Sequence, residues 1–178
     1  TGVWKPKNRK VHIVSEQVGY NQTILKASKQ AWPKSTFEIA ADTQIQYPVN
    51  DWTPVIQELK KVDAAVIQIN HWVASEYAAF CKQFRADPVP GSLVYMQYGP
   101  SQPEFLELGG RATEGFCWGT VLGIYGDEMG ENFRKKYLKR FPEYGTYEKN
   151  TMGVVYTGNG YDIVNYLVAS WNATKALG

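Results

Sequence analysis

LVYMQYGPSQPEFLELGGRATEGFCWGTV, Leu93 to Val121, is the stretch that decides the fold. It opens with a short apolar run, Leu93 to Tyr98, that breaks at Gly99-Pro100. Ser101 followed three residues later by Glu104 has capping-box spacing, and Pro103 suits a first helical turn. Gly109-Gly110 then stops the helix, and a second apolar run begins at Gly115. Strand, polar loop, helix, strand is one βαβ unit, and binding sites in such sheets form where strands end and helices begin.

Upstream, the same alternation repeats. Lys10–Ser15 reads as a strand. Tyr20–Trp32 carries Ile24, Leu25, Ala27, Ala31 and Trp32 at helical spacing until Pro33. Thr36–Ala41 reads as a strand. Asp51 or Thr53 caps the next helix, with Pro54 in its first turn and Val55, Ile56, Leu59 and Val62 as its buried stripe. Ala64–Asn70 is nearly continuous in apolar residues, as a sheet covered on both faces requires. A helix runs from Ser75 to Arg85. Five strands joined by short helical crossovers predict an α/β three-layer sandwich with a mostly parallel sheet.

After Gly123 the pattern changes. Gly123, Gly126 and Gly130 bracket a turn. Asn132–Phe141 follows as an amphipathic helix, and Tyr161–Thr174 as a helix apolar round much of its circumference, which predicts burial.

Bulk properties narrow the function. The 178 residues include 6 Trp, 12 Tyr and 7 Phe, and Lys+Arg of 19 against Asp+Glu of 17 gives +2. So small an excess does not suggest nucleic acid or an anionic membrane as partner. The aromatic content suits both a core and a ligand cleft. Thr1–Lys10 has no apolar signal segment; a mature secreted chain lacks one too, so the compartment stays open. Cys81 and Cys117 lack metal-ligand spacing and sit among apolar neighbours, which predicts two buried free thiols.

No GxGxxG, P-loop or GxSxG is present, and two histidines without a Cys/Asp/Glu cluster do not suggest zinc. No cofactor is assigned. His12 lies mid-strand and reads as a satisfied histidine. Glu16 is a lone acid near a strand end. The strand ends instead share aromatic and amide character: Tyr20 after the first, Asn70-His71-Trp72 after the third, Tyr98 and Ser101 after the fourth. Tyr20, Asn70, His71, Trp72, Tyr98 and Ser101 are therefore the candidate ligand-binding residues, suited to reversible capture of a small polar molecule. The alternative is that Tyr20, Trp72 and Tyr98 only cover the sheet edge.

Lys10-VHIVSEQVGYNQ-Thr23 resembles the strand, polar loop and Tyr-Gly segment of type I periplasmic solute-binding proteins, the branched-chain amino acid and amide receptors of ABC transporters. Gly99–Gly110 with Glu114-Gly115 is similar to their "speFlelaG…aeG" stretch. Gly130, Phe133, Tyr137 and Phe141, then Gly160-Tyr161-Asp162, resemble the region that follows. The ordered set covers nearly the whole chain. The resemblance implies a non-enzymatic receptor of two lobes that close on a ligand. Residues 1–122 would form the second lobe, 123–126 a hinge, and 127–178 helices of a first lobe whose sheet has no counterpart here. It implies a membrane permease as partner, a periplasmic or extracellular location with a lipid anchor left open, and a missing half or second copy to cover the last helix. Tyr20 matches a tyrosine that commonly contacts ligand. Tyr98 stands where amino-acid receptors of the family tend to place a glutamate, which weighs against an α-amino acid and leaves an amide, urea-like compound, carboxylate or small aromatic. A ligand-sensing regulatory domain on the same fold is the second reading. An enzyme with His71 as base is the third, and it lacks an adjacent nucleophile, since Cys81 is well along the next helix and Ser101 is on another loop.

Overall fold

The computed structural model describes residues 4–119, 127–144 and 155–175. The chain divides into two compact units, Thr1–Gly119 and Thr120–Gly178.

In the first unit β1 (Lys10–Glu16), α1 (Gly19–Ala31), β2 (Glu38–Ile45), α2 (Thr53–Val62), β3 (Val66–Asn70), α3 (Ala74–Ala86), β4 (Leu93–Met96), α4 (Pro103–Gly109) and β5 (Cys117–Trp118) follow in order. The sheet order is β2-β1-β3-β4-β5, and every described pair is parallel. All carboxy-terminal strand ends therefore share one rim. β3 is buried at each of its five positions, which explains its largely apolar reading, and its two polar residues, Gln68 and Asn70, bond to each other.

Alternation along the central strands feeds two cores. On one face Val14, Ile67 and Ile69 pack with Trp52, Ile56 and Leu59 around α2 and with Tyr77, Phe80 and Phe84 of α3. On the other, Val11, Ile13 and Val66 meet Leu25 of α1, closed by Trp4, Trp32 and Phe37. This second face also carries a buried polar seam. Gln68 donates to Ser28 Oγ at 2.7 Å and to Asn70 Oδ1 at 2.9 Å, Asn70 donates to Ser15 Oγ at 2.9 Å, and the Trp32 indole donates to Gln68 Oε1 at 2.7 Å.

The opposite, amino-terminal rim is stapled by the segment ahead of β1. Trp4 Nε1 donates to the Gly91 carbonyl at 3.0 Å, and Lys7 donates to the Pro90 carbonyl at 2.8 Å and pairs with Asp63. Asn8 donates to the Asp63 carbonyl at 2.8 Å and accepts from Ala65 N at 2.9 Å. Asp63 ends α2 at φ 50°, a left-handed conformation that an aspartate tolerates.

Several expectations are corrected. β2 begins two residues later and ends four later than Thr36–Ala41, because it pairs with the full length of β1. The Ser101–Glu104 capping box does not form. Gly99–Ser101 is a 3-10 turn in which Ser101 N donates to the Tyr98 carbonyl at 2.8 Å. Pro103 then opens α4 with Gln102 at its cap, and no side chain bonds there. At α2 the cap position belongs to Trp52, while Asp51 Oδ1 accepts from Thr53 N at 2.9 Å. Cys81 is buried as expected, but Cys117 is exposed, because β5 is an edge strand.

In the second unit α5 (Glu128–Arg140) is capped by Asp127, whose Oδ1 accepts from Gly130 N at 2.7 Å. α6 (Val155–Lys175) follows. Its expected burial is not observed: Tyr166 is 74% exposed, Leu167 65% and Trp171 69%. The turn and hinge expected at 122–126 lie outside the described residues.

Candidate functional site

The carboxy-terminal rim carries one aromatic residue beyond each of four adjacent strands. Tyr47 follows β2, Tyr20 follows β1, Trp72 follows β3 and Tyr98 follows β4. They form two pairs. Tyr47 and Trp72 stack at 6.0 Å between centroids with 28° between planes. Tyr20 and Tyr98 meet edge to face at 5.8 Å and 75°. Tyr47 is 56% exposed, Tyr20 49% and Trp72 40%, so the rings keep open surface despite pairing. Such amphipathic rings offer contact area at low conformational cost.

Two longer helices start at this rim without a side-chain cap, α1 after Val18 and α3 after Val73. Their first-turn N–H groups are directed at whatever occupies the rim, water or ligand, and favour an acceptor there.

Below the aromatics lies a buried cluster of two acids and an imidazole. His71 Nδ1 is 2.8 Å from Glu16 Oε2. His71 Nε2 is 3.0 Å from Glu76 Oε2, an ion-pair distance without hydrogen-bond alignment. His71 is wholly buried and Glu16 nearly so. Asn21 Nδ2 also donates to Glu16 Oε2 at 2.9 Å, and Glu76 Oε2 accepts from Val49 N at 2.8 Å. The imidazole is boxed by Trp52 and Tyr77, 5.9 and 5.4 Å from it between ring centroids.

Tyr77 closes the floor. Its hydroxyl lies 2.8 Å from the Ile69 carbonyl and 3.0 Å from that of His71, either of which can take its proton. It accepts from His71 N at 3.0 Å and from Gln97 N at 3.2 Å. Burial pushes the Tyr77 phenol well above its ordinary range.

The six candidates from the sequence thus occupy two levels of one rim. Tyr20, Trp72 and Tyr98 reach its surface, while Asn70, His71 and Ser101 are buried. Asn70 belongs to the polar seam and His71 to the acid–imidazole cluster. Ser101 Oγ has no hydrogen-bond partner, like Gln97 Nε2 and Oε1, Glu16 Oε1 and Asn21 Oδ1 at the same rim. Tyr47, Asn21, Glu76 and Gln97 were not anticipated. A buried strand that ends in an acid was the available signal, because such an acid needs a partner.

Among the described residues no group of three or more His, Cys, Asp or Glu could hold a metal, and no helix is long and apolar enough to cross a membrane.

The family described as "Periplasmic binding protein" matches residues 2–176. Among solved structures, a Silicibacter pomeroyi protein described, provisionally, as a branched-chain amino acid ABC transporter is similar at 30% identity and a TM-score of 0.74. That match covers 84% of this chain and 37% of the other. An amino acid ABC transporter substrate-binding protein from Pseudomonas fluorescens Pf-5 shares the fold at 13% identity and TM-score 0.65, over 77% of this chain and 37% of that one. A branched chain amino acid ABC transporter periplasmic ligand-binding protein from Burkholderia xenovorans LB400 does so at 14% and 0.65, over 80% and 38%. This chain therefore spans less than half the length of these relatives. No curated protein is similar enough to add to the comparison. With a parallel five-stranded lobe and a family match along nearly its whole length, the chain belongs to the type I periplasmic binding proteins.

Proposed function

We infer that this chain supplies one ligand-facing rim of an extracytoplasmic solute-binding component of an ABC importer. The four aromatics, one beyond each of four adjacent strands, carry this reading. The ligand is a small polar organic molecule: an amide, a carboxylate or an amino acid. Rings supply its walls, and the uncapped starts of α1 and α3 supply donors for an oxygen. Tyr98, where amino-acid receptors tend to carry an acid, favours an amide or carboxylate over an α-amino acid. The function is capture by closure of two lobes and delivery to a membrane permease, without catalysis. Residues 1–122 act as one lobe, 123–126 as the hinge, and 127–178 as part of the other. The exposed apolar residues of α6 call for a cover, either the remainder of the first lobe or a second copy. The location is periplasmic or extracellular, and a lipid anchor on the intact precursor is compatible with it.

A thermal-shift screen of amides, amino acids and aromatic carboxylates on this chain tests the reading. A ligand at about 100 times its Kd stabilises by about 2.7 kcal/mol. Trp72→Ala and Tyr98→Ala should each abolish most of that shift. A compound that stabilises the unaltered chain and both variants equally binds elsewhere and sinks the assignment.

A further inference from the structure

We propose that Glu16, His71 and Glu76 are positioning residues: a buried acid–imidazole–acid bridge that sets the relative placement of the loops bearing Tyr20, Trp72 and Tyr47. Each member ties one aromatic-bearing segment to the next. Glu16 ends β1 and accepts from Asn21, the residue after Tyr20. His71 precedes Trp72 and reaches Glu16 with one ring nitrogen and Glu76 with the other. Glu76, in the first turn of α3, accepts from Val49 N, two residues beyond Tyr47. Three segments separate in sequence thus converge on one imidazole.

Chemistry favours geometry over stability as the purpose of this cluster. Buried ion pairs contribute little net stability compared with apolar residues of similar volume. The imidazole is a rigid ring whose nitrogens point in fixed directions, Nδ1 at 2.8 Å from Glu16 Oε2 and Nε2 at 3.0 Å from Glu76 Oε2, the latter without hydrogen-bond alignment. With His71 wholly buried, no water competes for those directions. Apolar residues could fill the space between Trp52 and Tyr77, but would leave the Val49 N–H and the Asn21 amide without their acceptors.

This role rests on the reading of the rim as ligand-facing, and a measurement that needs no ligand separates the two. The chain is labelled with 5-fluorotryptophan, and the Trp72 resonance is assigned by Trp72→Phe. Glu76→Gln keeps an acceptor for Val49 N but removes the charge facing His71; Glu76→Ala removes both. Both variants should displace the Trp72 resonance, Glu76→Ala further, while Trp32 in the opposite core stays in place. If Glu76→Ala fails to fold, Glu76→Gln decides alone. A Trp72 resonance that stays put in a folded variant, or tryptophans of both cores shifting together, overturns the role. A displaced Trp72 resonance in a chain whose ligand stabilisation survives Trp72→Ala supports the bridge and removes instead the ligand-facing reading of the rim.

Discussion

Tyr77→Phe removes one oxygen from the floor of the rim and leaves the ring in place. The hydroxyl serves His71 N at 3.0 Å and Gln97 N at 3.2 Å, and donates to a carbonyl of Ile69 or His71. Gln97 N keeps its bond to the Ile69 carbonyl at 3.0 Å, so the main loss falls on the buried His71 N–H. One orphaned buried amide costs about 1–3 kcal/mol. At about 2 kcal/mol, and a urea dependence of about 2 kcal/mol/M, the unfolding midpoint of the first unit should fall by about 1 M. Tryptophan fluorescence against urea reads this directly. Alkaline pH supplies an internal check. The Tyr77 pKa is raised in the fold by burial, whereas in the unfolded chain tyrosine ionises near about 10. The folded state therefore holds the proton more tightly, and the stability this gives is lost as pH rises above about 10. Phe has no proton to lose, so the gap between wild type and variant should narrow there. Identical midpoints at neutral pH, or a gap that does not change on alkalinisation, would refute the reasoning.

Other perturbations have equally definite outcomes. Burial pushes the Cys81 thiol up to about 12, whereas Cys117 is exposed; at pH 8 a thiol reagent should label Cys117 in the native chain and reach Cys81 only in denaturant, and equal native labelling would contradict the packing around α3. A Cβ at Gly99 would lie 2.8 Å from the Trp72 carbonyl and from the Tyr77 ring, so Gly99→Ala should cost about 1–3 kcal/mol by denaturant unfolding. Gly19→Ala, with no atom within 4 Å of the new carbon, is the matched control and should change stability far less. Burial lowers the His12 pKa, so the unfolded chain takes up that proton first and stability drains away as pH falls below about 6.5. His12→Gln should lose less stability between neutral and mildly acidic pH, and an unchanged acid slope would show that His12 does not set it.

Where the fold could be read from sequence, a single physical demand dominated the residues. β3 is buried on both sides, so Val66, Ile67 and Ile69 dominate it, and the Gly109-Gly110 stop follows the α4 stripe closely. β2 runs past Ala41 through the polar residues Asp42, Thr43 and Gln44, because one side of an edge strand faces solvent and apolar runs do not mark its end. An end placed at Ala41 also hid Tyr47, since an aromatic two residues past a strand is noticed only if the strand's end is known. Tyr20, Trp72 and Tyr98 were visible because each follows a strand whose end was placed within a few residues. The Glu16–His71–Glu76 bridge was not, because Glu16 and His71 are separated by 55 residues and meet only through the β1–β3 pairing. The apolar helix at the carboxy-terminal side was found, but its burial could not follow from periodicity, which reports that a face is apolar and not what covers it.

The staple formed by Trp4, Lys7 and Asn8 has a practical consequence for sensing. It fixes the segment ahead of β1 to Gly91, Pro90 and Asp63, at the edge where strands begin. The seven residues of β1 at about 3.3 Å each put about 23 Å between that edge and the aromatic rim. An electrode or bead linked through Lys5 would hold the protein from behind, with Tyr20, Tyr47, Trp72 and Tyr98 facing solution. An environment-sensitive dye near those rings would then test the proposed ligand capture without interference from the attachment.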